Sequence, residues 1–569
     1  MANKKDRLKQ AQNAALLETA EYFISTIMVL YGLAMLVVFP LYFHNKYFDM
    51  GNAKYDFFKW TTVVFLGLAA IAWVNWFLTK NNCEKMELKK LPSQLMPMDY
   101  FVLAYFLISL LSYLCSSYKN VVTSTGTMNI ALVGFPGWSM GFVSQSAFVL
   151  IYFFMSRFCK NGTFFFMPIT VVAAFTAQLV ILQRFCFNPL GMYTYASEYT
   201  GATLWLADEY IEKFVSTLGQ TTWYSSFAIL AFPISVYLYM YGETMTEKRQ
   251  VLLRGIGMLG VLLSFGSLCT ANSDGAYVGF MLALMVFFWF ALSSTEKLFR
   301  FLEILIVGLG TFKIIGIFRT AFPQRMITLV AGDEKITDFV IHSPWMLGLL
   351  GGVLLIYIIL RLLHQHGIKF LGKITILRKV MVWGGVIAVW LVILLIILTT
   401  RGKLPSFLEK LYDVSFFNFT DLWGNHRGFN WRMSMTAFQH ASFKDIMIGV
   451  GPDCFSCAMD KYCYAEVEQY WQGLKLACAH NEFLNMLITQ GVLGLISYLG
   501  IFISFLVAAG KRAMENKRLI PYMAAVIAYL GHNFFCYQQC ICTPMVFIFM
   551  ALGMYEMRVM KRDRNNVHK

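Results

Sequence analysis

The chain has 569 residues, of which 58% are hydrophobic, 17% aromatic and only 14% charged, with a formal net charge of +15. A soluble protein of this length carries nearer a quarter charged residues, so composition excludes an ordinary globular enzyme. The positive charge does not mark a nucleic-acid binder either, because the Lys and Arg are spread over short connections between apolar runs.

The first eighteen residues are polar and basic, with Lys4, Lys5, Arg7 and Lys9. The apolar run that follows, 22–43, is too long for a signal-peptide core and lacks a small-x-small cleavage site, so it reads as a retained signal anchor. Apolar runs long enough to span a bilayer then recur to the end of the chain. They predict about fourteen transmembrane helices, near 22–43, 58–79, 100–117, 140–158, 163–183, 222–241, 251–270, 276–293, 301–320, 345–363, 379–400, 481–509, 519–536 and 544–560.

Charge tests this count. With the N-terminus in the cytoplasm, every inner connection is basic: Lys80, Lys85, Lys89 and Lys90; Arg157 and Lys160; Lys248 and Arg249; Lys297 and Arg300. The series continues through Lys369, Lys373, Arg378 and Lys379, then Lys511, Arg512, Lys517 and Arg518, and ends at Lys561, Arg562 and Arg564. That is the positive-inside bias, and one missed or spurious helix would invert it downstream. Four sizeable loops then fall outside: 119–138, 184–221, 319–344 and 401–479.

The expected fold is therefore an all-α integral membrane protein, a polytopic helical bundle with a large extracytoplasmic loop. Residues 1–400 form an N-terminal transmembrane bundle of about eleven helices. Residues 401–480 form the large loop, where the pattern through 431–443 fits short amphipathic helices capping the bundle. Residues 481–569 form the C-terminal transmembrane helices and a basic cytoplasmic tail.

The candidate chemistry gathers near the C-terminal end of the loop. His480-Asn481 stands where loop becomes helix, with Asn481 as N-cap and His480 just outside the first turn. The positive end of the helix would keep the imidazole neutral and able to accept a proton, while Glu482 pulls the other way. Gly491 and Gly494, the former about 16 Å deeper, offer a thin face for close approach. The alternative is an interfacial histidine hydrogen-bonded to backbone. Arg427 and Arg432 flank Trp431, and Arg184, Arg319 and Arg401 stand at outer helix ends, against the orientation signal. A bound anion is one reason for them; lipid headgroups, or pairing with Asp421 or Asp453, is the other. Asp274 at an outer turn is either functional or a helix cap, and Lys313 inside the ninth span is either functional or snorkels. Four of the 12 cysteines (Cys454, Cys457, Cys463, Cys478) lie in the large loop. A disulfide is allowed there, whereas a zinc site with His426 or His440 lacks the paired spacing. No Walker A loop, HExxH or G-x-S-x-G occurs.

These features resemble a known family. His480-Asn481, nine residues and Gly491-x-x-Gly494, preceded by Arg427-x-x-x-Trp431 and Gly449-Val450-Gly451-Pro452, are similar to the O-antigen ligase and O-antigen polymerase family of bacterial envelope glycosyltransferases. The likeness is sharpest over 425–500 and looser at Gly219–Trp223 and Ser273–Ala276. Where that family has Arg after the serine this chain has Asp274, and where it has Gly-Asn this chain has Gly219-Gln220. The resemblance implies a GT-C-like bundle in the bacterial cytoplasmic (inner) membrane, with both termini cytoplasmic. It implies an inverting, metal-independent transfer of a glycan from an undecaprenyl-diphosphate carrier to a glycan, lipid or protein acceptor hydroxyl, with no cofactor and no nucleic acid. His480 would be the catalytic base, and Arg427, Arg432, Asn481, Arg184, Arg401 and Asp274 would bind substrate. The competing class is a transporter, such as a lipid-linked glycan flippase, which would place ionisable groups and broken helices near the bilayer midplane.

Overall fold

In the computed structural model, residues 2–83, 95–123, 126–192, 214–244, 249–271, 273–323, 335–368, 371 and 374–567 are described. The predicted inner-loop residues Lys85, Lys89, Lys90, Lys248, Lys369 and Lys373, and the middles of the outer loops 184–221 and 319–344, lie outside them.

The long helices are α1 (Ala2–Leu33), α2 (Met50–Cys83), α3 (Pro97–Cys115), α4 (Phe142–Phe158), α5 (Phe166–Arg184) and α6 (Thr221–Tyr241). They continue as α7 (Gln250–Leu268), α8 (Asp274–Ala291) and α9 (Thr295–Ala321), then a short α10 (Lys335–His342), α11 (Pro344–Gln365) and α12 (Ile374–Thr400). Four short helices follow: α13 (Trp423–His440), α14 (Phe443–Ile448), α15 (Phe455–Tyr462) and α16 (Tyr464–Trp471). The chain closes with α17 (Glu482–Arg512), α18 (Leu519–Asn533) and α19 (Thr543–Val567). Strands among the described residues are two small hairpins, Val121–Thr123 with Gly126–Met128 and Phe214–Val215 with Gly219–Gln220.

Twelve helices among the described residues are long and apolar enough to cross a membrane. The protein is thus an all-α, multi-pass membrane protein. The other two expected spans are present as the shorter helices α4 and α18, of 17 and 15 residues.

The bundle is built around α6, whose most apolar stretch is 89% buried. It packs on α5, α7, α8 and α18, while α1 packs on α2, α3 on α17, and α4 on α19. In contrast α11 and α12 are 6% and 0% buried over their most apolar stretches, which suits helices with lipid as neighbour.

Polar groups within the bundle are spent on holding it together. At the basic ends of α3 and α4, Asp99 accepts from Arg157 (3.2 Å), Arg558 (2.6 and 2.7 Å) and Tyr152 (2.7 Å), and caps α3 through the Met96 amide (2.8 Å). α1 ends in a π-helical turn (Ala34–Val38) and Pro40. The carbonyls freed there are taken by buried Lys54 (2.6 Å to Phe39 O, 3.1 Å to Pro40 O) and Thr217 (2.8 Å to Pro40 O). Lys313 does not snorkel: its Nζ caps the end of α10 at Ile341 O (3.1 Å) and Ser343 O (2.7 Å). Arg319 pairs with Asp338 at 2.9 Å.

Candidate active site

The site is framed by a break in α17. Gly491 has φ 70° and ψ −174°, a conformation essentially restricted to glycine. The backbone of α14 lies against it, so that a Cβ there would sit 2.4 Å from the Met447 carbonyl carbon. The mirror contact is at Gly449, where a Cβ would meet Thr489 O at 2.2 Å. The close approach expected of the glycines is therefore made by the end of α14 at Gly491, whereas a Cβ at Gly494 would meet the Gln490 side chain of its own helix. Breaking a helix orphans carbonyls, and inside a membrane protein they need partners. Here Val450 N donates to Ile488 O (3.2 Å), and Gly451 N (3.0 Å) and Ser112 Oγ (3.1 Å) donate to Thr489 O. Ser116 Oγ then holds Val450 O at 2.7 Å. The Gly449-Val450-Gly451-Pro452 turn is the plug in the break.

At the N-terminal end of α17, Asn481 is the N-cap: its buried Oδ1 accepts from Phe483 N and Leu484 N, both at 3.0 Å. That spends the oxygen on structure. His480 is held in the left-handed region (φ 49°), a strained conformation for a non-glycine residue. Its ring is edge-on to Tyr537, centroids 5.4 Å apart. Burial lowers its pKa to about 4, and the positive charge of Arg427 adds to the effect. The imidazole is therefore neutral at physiological pH, as expected, but from burial and a guanidinium. Glu482 does not oppose this: its buried carboxylate turns into the bundle, where Tyr498, Tyr529 (3.0 Å) and Asn533 donate to it.

Arg427 is delivered by a rare piece of backbone. Gly424, Asn425 and His426 are three consecutive left-handed residues (φ 60°, 58° and 64°) at the start of α13. His426 Nδ1 and Tyr470 OH are hydrogen-bonded at 2.7 Å, and Tyr470 stacks on Phe429 with centroids 3.8 Å apart. The Arg427 guanidinium, half-buried, donates through Nη1 to Gly424 O (2.6 Å) and through Nε to Phe535 O (3.1 Å). Burial disfavours its charge, and the nearby Asp274 carboxylate is among the groups that offset this.

The structure thus brings His480, Asn481, Arg427 and Asp274 into one corner. Asp274 is exposed and opens α8, whose Ser273 N-cap residue precedes it. The other arginines go elsewhere. Arg432 forms a two-pronged pair with Asp421 (2.9 and 2.6 Å). Arg184 is buried and donates to Thr270 O at 2.6 Å, supporting the turn that leads into Asp274. Arg401 is exposed just beyond the end of α12.

Sequence reasoning passed over His532. It lies buried at the end of α18, with Nδ1 at 3.0 Å from Asn533 Oδ1 and 3.4 Å from Ser226 Oγ. A Cβ at Gly275 would meet its ring at 3.4 Å, and the charge of Arg427 reaches it. The signal was present: His532-Asn533 repeats the His480-Asn481 pair, and an ionisable residue inside an apolar run is expensive.

Beneath the loop is a small polar pocket, with room for about one water molecule, lined by Gln145, Asp453, Glu482, Gln490, Tyr537 and Gln538 among others. Asp453 accepts from Phe135 N (2.8 Å) and Met140 N (2.9 Å), and burial pushes its pKa up to about 7. Among the described residues no group of three or more His, Cys, Asp or Glu gathers as a metal site, and the described cysteines are free thiols.

Residues 343–499 match the O-antigen ligase family model. The matched stretch is less than half of the chain, runs from the start of α11 into α17, and contains Arg427, His480, Asn481 and both glycines of the break. It leaves out Asp274 and His532. No curated protein matches the chain. With the O-antigen ligase match and the apolar helices together, the protein stands as a multi-pass membrane protein of polysaccharide biosynthesis, of ligase or polymerase type.

Proposed function

We propose that the protein is an inverting glycosyltransferase with a GT-C-like bundle. It moves a glycan from an undecaprenyl-diphosphate carrier to an acceptor hydroxyl at the outer face of the bacterial cytoplasmic membrane, with both termini cytoplasmic. The acceptor is another glycan, a lipid or a protein anchor. The observation that carries this reading is a neutral imidazole, His480, beside the Arg427 guanidinium at the mouth of a broken helix inside the matched stretch.

The chemistry follows from the two groups. The acceptor oxygen attacks the anomeric carbon from the face opposite the diphosphate, and the bond from that carbon to the diphosphate oxygen breaks, inverting the centre. His480 takes the acceptor's proton, work worth typically 10²–10⁴-fold. Arg427 stabilises the charge that builds on the leaving diphosphate. No covalent enzyme intermediate is needed. Domains follow the same division as the chemistry: residues 1–400 as scaffold, 401–480 as the loop that supplies Arg427 and His480, and 481–569 as the helices that seat the loop.

A flippase would also use a broken helix. In α17, however, the freed carbonyls are bonded to the Val450 and Gly451 amides rather than lining a path. His480→Ala in a strain lacking the wild-type protein separates the two. The expected result is normal membrane levels, no polymeric or ligated surface glycan, and carrier-linked oligosaccharide on the outer leaflet. Retained surface glycan removes His480 as the base, and glycan trapped on the cytoplasmic leaflet favours the flippase.

A further inference from the structure

Cys454-Phe455-Ser456-Cys457 opens α15, with Cys454 at the N-cap (φ −91°, ψ 28°) and Cys457 in the first turn. Residues three apart in a first turn share a helix face, and here both side chains are buried in the same core cluster. The S–H of Cys454 donates to Pro452 O at 3.5 Å, and Cys457, with Cys454 as its neighbour, is the easier of the two to ionise. Cys454 is 0% exposed and Cys457 6%. The pair sits at a joint. Cys454 packs over the plug, where a Cβ on Gly451 would lie 3.1 Å from its Sγ. The preceding residue is Asp453, which holds Phe135 N and Met140 N.

We propose that Cys454 and Cys457 are a disulfide-forming pair, oxidised as the loop folds by a thiol–disulfide exchange protein of the extracytoplasmic compartment. This rests on the proposed placement of the large loop outside the cytoplasm, where disulfides persist. The Cys457 thiolate attacks one sulfur of the partner's disulfide and expels a partner thiolate, giving a mixed disulfide. The Cys454 thiolate then attacks the Cys457 sulfur and expels the second partner thiolate. One S–S bond forms in this chain, one is reduced in the partner, and two protons and two electrons pass across. Neither sulfur faces solvent in the folded dithiol, so exchange precedes the packing of α15 beneath α13. Of the other loop cysteines, Cys463 donates to Met433 O at 3.5 Å, and Cys478 packs with Cys536 and Tyr537. The bridge fixes the first turn of α15 and with it the direction in which Asp453 points.

The test uses the full-length protein in membranes, quenched in acid, denatured in detergent and alkylated with a polyethylene-glycol maleimide, with and without prior reduction. Wild type is expected to gain two adducts on reduction, whereas Cys454→Ser and Cys457→Ser each gain none. In parallel, a cysteine introduced at the exposed Phe407 is probed with a membrane-impermeant thiol reagent in intact and broken cells. Equal adduct numbers before and after reduction, with the introduced cysteine reactive from outside, overturn the pair alone. Equal numbers with that cysteine reactive only in broken cells overturn the pair together with the proposed orientation. A gain that persists in either serine variant assigns the bridge to other cysteines and overturns this one.

Discussion

In the proposed mechanism His480 is the base, and its acidity is set by burial and one neighbour, Arg427, which gives the residue scale its sharpest test. Burial and then the Arg427 charge lower its pKa from 6.5 to about 4. The catalytic form is the neutral one, so transfer measured as kcat/KM against pH is expected to hold through 6 and fall only as pH drops through about 4. Arg427→Gln should move that acid limb upward, but short of 6.5, because burial is the larger cause and remains. The same shift acts on stability. Between about 4 and 6.5 the unfolded chain binds the proton that the folded chain refuses, so this group's contribution falls as pH falls through that window. Asp453, raised from 3.8 to about 7, has the opposite sign: its contribution falls as pH rises from 3.8 to 7. Replacing it with Ala leaves two backbone donors unpaired, at a cost of about 1–3 kcal/mol each, which thermal unfolding in detergent would read. The two arginines that flank Trp431 separate cleanly. Arg432 pairs with Asp421 at the surface, 50% and 40% exposed, so Arg432→Ala should cost about 0–1 kcal/mol in stability and little in turnover. Arg427→Lys keeps a charge but loses the fork that reaches both Gly424 O and Phe535 O, and should lose turnover nearly as fully as Arg427→Ala.

At the scale of elements, the helices were legible and their interruptions were not. Apolar runs of span length can hardly be anything but helices, and an Asn before such a run announces its own cap, as Asn481 proved. What the pattern could not show is that α17 breaks at Gly491 and takes a loop turn into the gap, because that depends on residues forty positions apart touching through bare backbone. The left-handed turn at 424–426 is hidden for the same reason: its partner Tyr470 lies 44 residues on. Nor could spacing tell which arginine is spent on Asp421 and which is left beside the histidine. The break makes a direct prediction. Gly491→Ala must both adopt a glycine-only conformation, costing about 1–3 kcal/mol, and push away Met447. Gly449→Ala meets Thr489 O at 2.2 Å in the same joint. Both variants are expected to lower membrane abundance and the unfolding temperature, whereas Gly384→Ala, with nothing within 4 Å, should match wild type in both. Normal abundance and unfolding temperature for Gly491→Ala would show that the plug is dispensable.

For the whole molecule, the question is how the matched stretch joins the bundle when two of its helices are barely covered. α11 leans on α9, and α12 has few neighbours at all. Near its start Arg378 donates to Trp289 O (3.3 and 3.2 Å) and lies over the Trp289 ring at 5.2 Å. That carbonyl belongs to the last turn of α8, where a cation is favoured by the helix dipole as well as by the hydrogen bond. Further along, Gly385 and Met285 touch, with 3.6 Å between the Met285 methyl and the place of a Cβ on Gly385. In a bilayer no hydrophobic force presses α12 onto its neighbour, since lipid tails are as apolar as Leu; a polar latch such as Arg378 on Trp289 O then carries much of the association. α12 is also the helix from which the large loop departs, so its seat helps to fix where Arg427 and His480 arrive. A cysteine pair at Gly385 and Met285 should cross-link readily with a short bifunctional reagent in native membranes. Arg378→Ala is expected to cut that cross-linking several-fold while leaving membrane abundance unchanged, because nothing in the core of α6, α8 and α18 depends on it. Undiminished cross-linking in the Arg378→Ala protein would mean that packing alone, or the loop above, holds α12 in place.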